Sequence, residues 1–182
     1  RNVTSMASTF RLCSFNQDIS KWDTSKVTDM LGMFDQNKFF NQNINTSVQE
    51  RDDGNGNTEK YVAWDVSKVQ NFSYMLSGSF NNDDYSYFNS DISNWNTSSA
   101  SNMNRMFFYN YGFNQQIGEK LVDFSSDGFG SYTAWNLQSV TNLSNMFADT
   151  KKFNNGVPND IVGENNVGCL LYTSDAADEI TG

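Results

Sequence analysis

Apolar residues recur along this chain in one arrangement that is written out several times. In the complete copy at residues 22–44, the apolar positions are Trp22, Val27, Met30, Met33, Phe34, Phe40 and Ile44. Further copies start at Trp64, Trp95 and Trp135, and a first one that lacks its Trp begins near Val3. A unit this short cannot bury its apolar face alone, so the pattern predicts tandem copies packed against one another.

The spacing within a copy predicts two different elements. The core positions of residues 27–34 fall at i, i+3, i+6 and i+7, which is typical of one face of a short helix. Thr24 or Ser25 precedes them as a natural N-cap. Residues 40–44 alternate like a strand, and a copy of about 25 residues has room for only one. We therefore expect an α/β fold, with a parallel sheet on one face and helices on the other.

Polar and aromatic residues also recur at fixed offsets. The recurring asparagines are Asn16, Asn41, Asn89, Asn114 and Asn154. We expect their amides to point inward and to satisfy backbone groups of their own turn and of the next copy, and we do not interpret them as a binding row. By the same reasoning the Trp residues form a stacked core column, and the repeated Met residues fill the core.

The repeated motif W-x-x-S-x-V-x-x-M-x-x-M-F…F-N-x-x-I resembles the repeat of BspA-like surface proteins. That repeat occurs in mycoplasma lipoproteins, in Listeria-type cell-wall proteins and in some aquatic protists, and the resemblance covers residues 2–156. It implies a leucine-rich-repeat-like solenoid of about five coils. It also implies display at a cell surface or secretion, and a role in adhesion or protein interaction without catalysis. The family supplies no catalytic residues to transfer to this chain.

The C-terminal segment departs from every preceding pattern. The stretch CLLYTSDAADE at residues 169–179 resembles the translation of a transposase adapter used to build sequencing libraries. We therefore expect one repeat domain over residues 1–168, truncated at both ends, and no native sequence in residues 169–182.

Most tyrosines lie outside the predicted helix and strand segments, in or near the insertions between the copies. Those at residues 47–63 and 118–134 share one offset and should emerge on one edge, whereas residues 77–87 should emerge on the opposite edge. Tyr85 and Tyr87 have the same offset as Tyr109 and Tyr111 in the next copy, so the four rings should cluster. Tyrosine is typical of adaptable recognition surfaces, and we interpret the cluster as a contact patch for a protein or glycan partner. The alternative is that the rings only cover the edge.

Composition excludes several function classes. The 182 residues contain no His and carry a formal net charge of -9, which argues against nucleic acid or an anionic membrane surface as partner. No run of about 20 apolar residues predicts direct membrane insertion. There is no Cys/His metal spacing and no phosphate-cradling glycine loop, so we expect no cofactor and no enzyme. A passive stalk or spacer is the second interpretation. A carbohydrate-active enzyme fragment is a third, although Asp83 and Asp84 are adjacent loop carboxylates and a glycosidase needs two that face each other across a cleft.

Two short motifs have alternative interpretations. Asp53, Asn55, Asn57 and Glu59 alternate as calcium ligands do, but Trp64 stands where the loop would need an acid, which favours a plain solvated loop. The triplets N-x-S/T, which are N-glycosylation acceptors in a eukaryotic secretory pathway, begin at Asn2, Asn45, Asn71, Asn96 and Asn142. The repeat itself explains most of these triplets.

Overall fold

The computed structural model describes residues 2–79 and 85–153, and the regular secondary structure of these residues is β apart from one 3₁₀ turn. In chain order the elements are β1 (Ser47–Asp52), β2 (Thr58–Ala63), β3 (Lys120–Asp123), the 3₁₀ turn (Ser125–Asp127) and β4 (Ser131–Ala134). β1 pairs with β2 and β3 with β4, both antiparallel. The predicted α/β class is wrong, and so is the leucine-rich-repeat-like solenoid of helix–strand coils, because the described residues contain no α-helix and no parallel sheet.

The segments predicted as helices are runs of β-turns. Within residues 30–37, three amides each donate to the carbonyl three residues earlier, at 2.9–3.1 Å. Gly32 and Gln36 have positive φ angles of 56° and 57°, which an α-helix does not permit. Successive turns of this kind bury Met30 and Met33 at a spacing of three, as a helix would. The apolar pattern was therefore read correctly as periodic but assigned to the wrong element.

Left-handed backbone recurs at matching positions in every copy. The non-glycine residues with positive φ in these turn runs are Ser8, Leu12, Gln36, Tyr74, Arg105, Tyr109, Asn145 and Asp149. Each such conformation costs about 1–2 kcal/mol for a residue with a side chain. Other interactions must offset this cost, and the hydrogen bonds between copies are the obvious source.

Alternate amides of each turn run donate to the next copy. Between the second and third copies these backbone bonds are Met30 to Asn71, Gly32 to Ser73, Phe34 to Met75 and Gln36 to Ser77, at 2.8–2.9 Å. The same pattern starts at Met6, Phe72 and Met103 for the other three junctions. A helix would satisfy these amides within its own segment, whereas here the neighbouring copy does so. We call these backbone hydrogen bonds, which run from each copy to the next, the ladder.

The strand predicted at residues 40–44 does not form either. The parallel pairing between copies consists of isolated bridges at the start of the turn runs, and these are Ser5 to Asp29, Asp29 to Asn71, Asn71 to Asn102 and Asn102 to Asn142. Near residue 41 the copies are joined by side chains instead, because the Asn41 amide donates to Oδ1 of Asn16 at 3.0 Å. Without a backbone partner this segment stays extended but outside any sheet.

The core consists of aromatic columns that run through the copies. The predicted Trp column is confirmed for Trp95 and Trp135, whereas Trp22 is only half-buried, and the structure adds a column of Phe rings. The rings of Phe15, Phe40, Phe88 and Phe113 follow one another at centroid distances of 5.9–6.3 Å. Trp95 and Trp135 stack at 6.2 Å with their planes 9° apart. The Met residues at helical spacing are also confirmed as core residues, since Met30 and Met33 are fully buried.

Each buried Trp also fastens the start of its copy to the end of the copy two positions earlier. The indole Nε1 of Trp64 donates to the Ile19 carbonyl, and that of Trp95 donates to the Ile44 carbonyl, both at 2.8 Å. Trp135 repeats the contact with Ile92 at 2.9 Å. A buried indole N–H requires such a partner, and here it finds one at the same offset each time.

The two long insertions are the hairpins β1–β2 and β3–β4, and their predicted position on one edge is confirmed. Lys60 Nζ of the first hairpin lies 2.8 Å from Asp127 Oδ1 of the second. The third insertion cannot be compared in the same way, since residues 80–84, with Asp83 and Asp84, lie outside the described residues. So do Asn154 and residues 169–182.

Candidate functional site

The tyrosines of the insertions separate into two groups with different roles. The hydroxyl of Tyr61 donates to the Lys21 carbonyl, and that of Tyr132 donates to the Asn94 carbonyl, each at 2.6 Å. Both tyrosines lie three residues before a Trp and tie a hairpin to the stack of copies. Burial raises the pKa of Tyr132 to about 12, so this tether stays protonated. These two tyrosines therefore have a structural role.

The second group forms the predicted cluster. A parallel bridge joins Ser86 to Asn110, and the Tyr111 amide donates to the Ser86 carbonyl at 2.8 Å. This pairing places Tyr85 beside Tyr109 and Tyr111, the residues that flank Asn110. Residues with equal offsets in the two copies therefore lie side by side on one edge of the molecule.

Three of the four rings are in contact. Tyr85 and Tyr111 stack with their centroids 3.9 Å apart, and Tyr109 lies 6.3 Å from Tyr85 and 6.4 Å from Tyr111. The clustering of these three rings is confirmed. Tyr87 follows in the same segment and is 46% exposed. We call these four residues the tyrosine edge.

Two glycines permit the close backbone approach beneath the tyrosine edge. A Cβ at Gly112 would lie 2.4 Å from the Tyr87 carbonyl oxygen. A Cβ at Gly78 would lie 2.4 Å from the Ser86 amide nitrogen and 2.6 Å from the Tyr109 carbonyl oxygen. The rings are therefore presented from two chain segments packed as closely as backbone allows.

Charged groups border the tyrosine edge. Desolvation and then the nearby Asp149 carboxylate raise the pKa of Tyr109. Lys151 Nζ lies 5.4 Å from the Tyr111 ring centroid, within cation–π range. The edge thus offers phenol hydroxyls, ring surface and one ammonium group, which suits polar and apolar contacts together.

Sequence reasoning missed three further residues beside this edge. The pattern predicts a helical position for Tyr74 and no role for Arg105 or Phe108, yet all three project from the turn runs and are half-buried. An Nη atom of Arg105 donates to the Tyr74 hydroxyl, and its Cζ lies 5.2 Å from the Phe108 ring centroid. Phe108 in turn meets Tyr109 edge to face at 4.4 Å. Only the correct turn geometry, which the sequence pattern did not reveal, would have identified them.

The asparagine row is structural, but its predicted inward direction is wrong. Oδ1 of Asn41 accepts from the Asn89 amide at 2.7 Å, and Oδ1 of Asn89 accepts from the Asn114 amide at 2.7 Å. Bonding from copy to copy is therefore confirmed. Asn16, Asn41 and Asn114 are nevertheless exposed, so the row runs along the surface.

The candidate calcium loop is the turn of the first hairpin. Oδ1 of Asp53 accepts from the amides of Asn55 and Asn57, at 2.7 and 3.2 Å, and Asn57 Nδ2 donates to Oδ2 at 3.1 Å. These bonds lower the pKa of Asp53. The carboxylate thus shapes its own turn. In residues 2–79 and 85–153, no group of three or more acidic, His or Cys side chains is placed to hold a metal ion.

Three of the asparagines that begin N-x-S/T triplets make hydrogen bonds through their side-chain amides, two within local turns and one to a distant residue. Oδ1 of Asn71 accepts from the Ser73 amide at 3.1 Å, and Oδ1 of Asn142 accepts from the Ser144 amide at the same distance. Asn45 bonds to Asp91 through Nδ2 at 2.8 Å. These contacts account for the residues without modification.

The fold defines a repeat protein whose copies are joined by backbone hydrogen bonds and shared aromatic columns. Its sequence matches the family model DUF285, described as Mycoplasma protein of unknown function, over residues 1–87 and again over residues 52–164. The chain belongs to this family. A search of curated proteins gave no match. A search of solved structures gave none either. The part of the chain that the structure describes has no helix with the length and apolar character needed to span a membrane.

Proposed function

We propose that this chain is a non-enzymatic recognition module, displayed at a cell surface or secreted, that mediates adhesion or another interaction with a protein or glycan. The observation that carries the proposal is the tyrosine edge, where the Tyr85 and Tyr111 rings stack at 3.9 Å beside Tyr109. Tyrosine gives a large contact area for a small loss of conformational entropy on binding. The likeness of the repeat to BspA-like surface proteins supports the cellular location.

The arrangement of this edge favours recognition over simple coverage. Tyr87 is 46% exposed, whereas core aromatic residues such as Trp95 and Phe113 are fully buried. Tyr and Arg are among the residues that most often dominate binding energy at interfaces. Here Arg105 packs on Phe108, which in turn contacts Tyr109 of the tyrosine edge. A passive spacer has no need for such a surface.

The proposal is tested by a binding screen of the whole chain against a glycan array and cell-surface protein extracts. The variant changes Tyr85, Tyr87, Tyr109 and Tyr111 to Ser together. The matched control changes two exposed rings elsewhere, Phe39 and Phe129, which are 58% and 43% exposed. The proposal is supported if only the tyrosine variant loses binding and its unfolding transition, followed by circular dichroism, is the same as that of the wild type.

Two outcomes count against it. Binding that persists in the four-Tyr variant removes the tyrosine edge from any recognition role. If the folded wild-type chain binds nothing in either screen, the result favours the spacer interpretation. The single change Tyr87→Ser guards against a folding defect, because this ring is the most exposed of the four.

A further inference from the structure

A surface groove of about 440 Å³ crosses the outer face of the turn runs. Gly32 and Gly78 form part of its floor. Other copies have side chains at these offsets, such as Tyr74 in place of Gly32 and Tyr109 in place of Gly78. The groove therefore exists because two neighbouring copies have glycine where the others have side chains. We call it the turn-face groove.

One wall of the turn-face groove is apolar. It is lined by Leu31, Tyr74 and Phe108, and Leu31 is 39% exposed. Arg105 holds the two rings in place, since it donates to the Tyr74 hydroxyl and its Cζ lies 5.6 and 5.2 Å from the Tyr74 and Phe108 centroids. Rings fixed in this way lose little entropy when a ligand packs on them.

The polar residues of the groove are already organised by hydrogen bonds. Arg11 Nε donates to Asp35 Oδ2 at 2.7 Å, and Gln36 Nε2 donates to the same oxygen at 3.2 Å. The Ser77 hydroxyl donates to Asp35 Oδ1 at 2.6 Å. Asp35 is only 6% exposed, so it fixes the two longer side chains at the groove surface.

Charge in the groove favours an uncharged ligand. Arg11 and Asp35 neutralise each other, and they are the two charged residues that line the groove. The further cation nearby, Arg105, does not line the groove, and its guanidinium contacts the Tyr74 hydroxyl and the Phe108 ring. An acidic or basic ligand would therefore find no unpaired counter-charge among the lining residues. Its desolvation would then be uncompensated.

The backbone around the groove is closed to an extended peptide. The amides of Gly32 and Gln36 donate to Ser73 and Ser77, and that of Gly78 donates to Phe108, all within the ladder. A peptide strand would need such amides for pairing. Recognition must therefore come from side chains, which suits a ligand with hydroxyl groups on its rim and an apolar C–H face.

We propose that the turn-face groove binds a neutral oligosaccharide. A hexose ring packs its C–H face on Tyr74 and Phe108, and its hydroxyl groups bond to Arg11 and Gln36. The volume falls within the range of small-molecule sites. This inference rests on the proposed recognition role, but it uses none of the residues of the tyrosine edge.

Saturation-transfer NMR of the full chain with maltotriose, cellotriose, mannotriose and triacetylchitotriose, all neutral, tests the proposal. We expect at least one trisaccharide to bind. Gly32→Tyr fills the groove and should weaken binding at least about tenfold. The backbone tolerates the change, because Tyr74 has the same φ of 56° at the equivalent position. Gly128→Tyr is the matched control, since Gly128 also has positive φ and lies on the second hairpin in open space.

A second variant protects the test against misfolding. Gln36→Gly removes a groove side chain at a left-handed position where glycine is favoured, so the fold should be retained and binding weakened. The proposal is overturned if none of the four sugars binds at about 10 mM. It is also overturned if Gly32→Tyr and Gln36→Gly both bind as the wild type does. The four-Tyr variant separates the two proposals, because it should retain sugar binding in the groove while it loses the partner of the tyrosine edge.

Discussion

Lys60 and Asp127 are 67 positions apart in the chain, yet Lys60 Nζ lies 2.8 Å from Asp127 Oδ1. One residue belongs to strand β2 and the other to the 3₁₀ turn that precedes β4. The contact brings the two hairpins together on one edge. It also raises the pKa of Lys60, chiefly through the hydrogen bond to Asp127.

This proximity predicts a specific crosslink. A carbodiimide that joins amines to carboxylates without a spacer should connect Lys60 to Asp127, and mass spectrometry of the digest should find the linked peptides. Lys60→Arg keeps the charge but cannot form the amide, so its linked peptide should disappear. Equal crosslinking of Lys60 to many distant carboxylates would contradict the placement of the hairpins.

Trp95→Phe should destabilise the protein. The change keeps an aromatic ring in the column but leaves the Ile44 carbonyl without its donor at 2.8 Å. An unsatisfied buried carbonyl costs about 1–3 kcal/mol of unfolding free energy. Urea denaturation followed by circular dichroism measures the loss. Trp22→Phe is the control, because Trp22 is half-buried, and it should cost less.

Tyr132 should make stability depend on alkaline pH. Burial raises its folded pKa to about 12, whereas an unfolded tyrosine titrates near about 10. The stabilisation is therefore complete below about pH 10 and is lost as pH rises toward about 12, because only the unfolded chain ionises in this window. Denaturation at several pH values should show that the difference between wild type and Tyr132→Phe shrinks as pH rises. A constant difference would contradict this account.

Gly112→Ala should be poorly tolerated. Its Cβ would lie 2.4 Å from the Tyr87 carbonyl oxygen, so backbone must move. Overpacking of this kind costs about 1–3 kcal/mol. Gly118→Ala is the control, because nothing lies within 4 Å of a Cβ there. Thermal unfolding of both variants gives the comparison, and equal melting temperatures would rule out the close approach.

Asn41→Ala should weaken the junction between the second and third copies. It removes the oxygen that accepts from the Asn89 amide at 2.7 Å. The cost should be about 0.5–1.5 kcal/mol of unfolding free energy. Asn41→Asp keeps an acceptor at the same place and should lose less. If Asn41→Ala and Asn41→Asp have the same unfolding free energy, the side-chain oxygen has no part in joining the copies.

The sequence was sufficient to predict the register of the copies but not their backbone. Trp95 and Trp135, read as one column, do stack. The helix prediction failed because two consecutive β-turns bury Met30 and Met33 with the spacing of a helix. The decisive feature is a positive φ, and large residues such as Tyr74 and Arg105 gave no sign of it. Gly32 was the one visible hint.

Of the candidate site, the part that depends on the register of the copies was predictable, and the part that depends on backbone geometry was not. Equal offsets were enough to bring Tyr85 and Tyr111 together, since register alone decides that contact. The turn-face groove depends on side chains that are missing, at Gly32 and Gly78, and on which way each turn projects its neighbours. The hairpins were also missed as strands, although the Gly54 and Gly56 turn between alternating segments is a hairpin signal.

The one-way direction of the ladder gives the molecule an electrical polarity. In each ladder bond, an N–H group of one copy points toward the following copy, and the carbonyl that accepts it points back toward the preceding copy. Such peptide dipoles add, as they do along an α-helix. At each junction the four ladder bonds outnumber the backbone bonds donated the other way, such as Trp64 to Trp22 and Gln70 to Thr28. The ladder therefore leaves the negative end of its summed dipole at the first copy and the positive end at the fifth, in a protein whose formal charge is negative overall. An approaching partner would meet a field that distinguishes the two ends of the molecule before any side chain is touched.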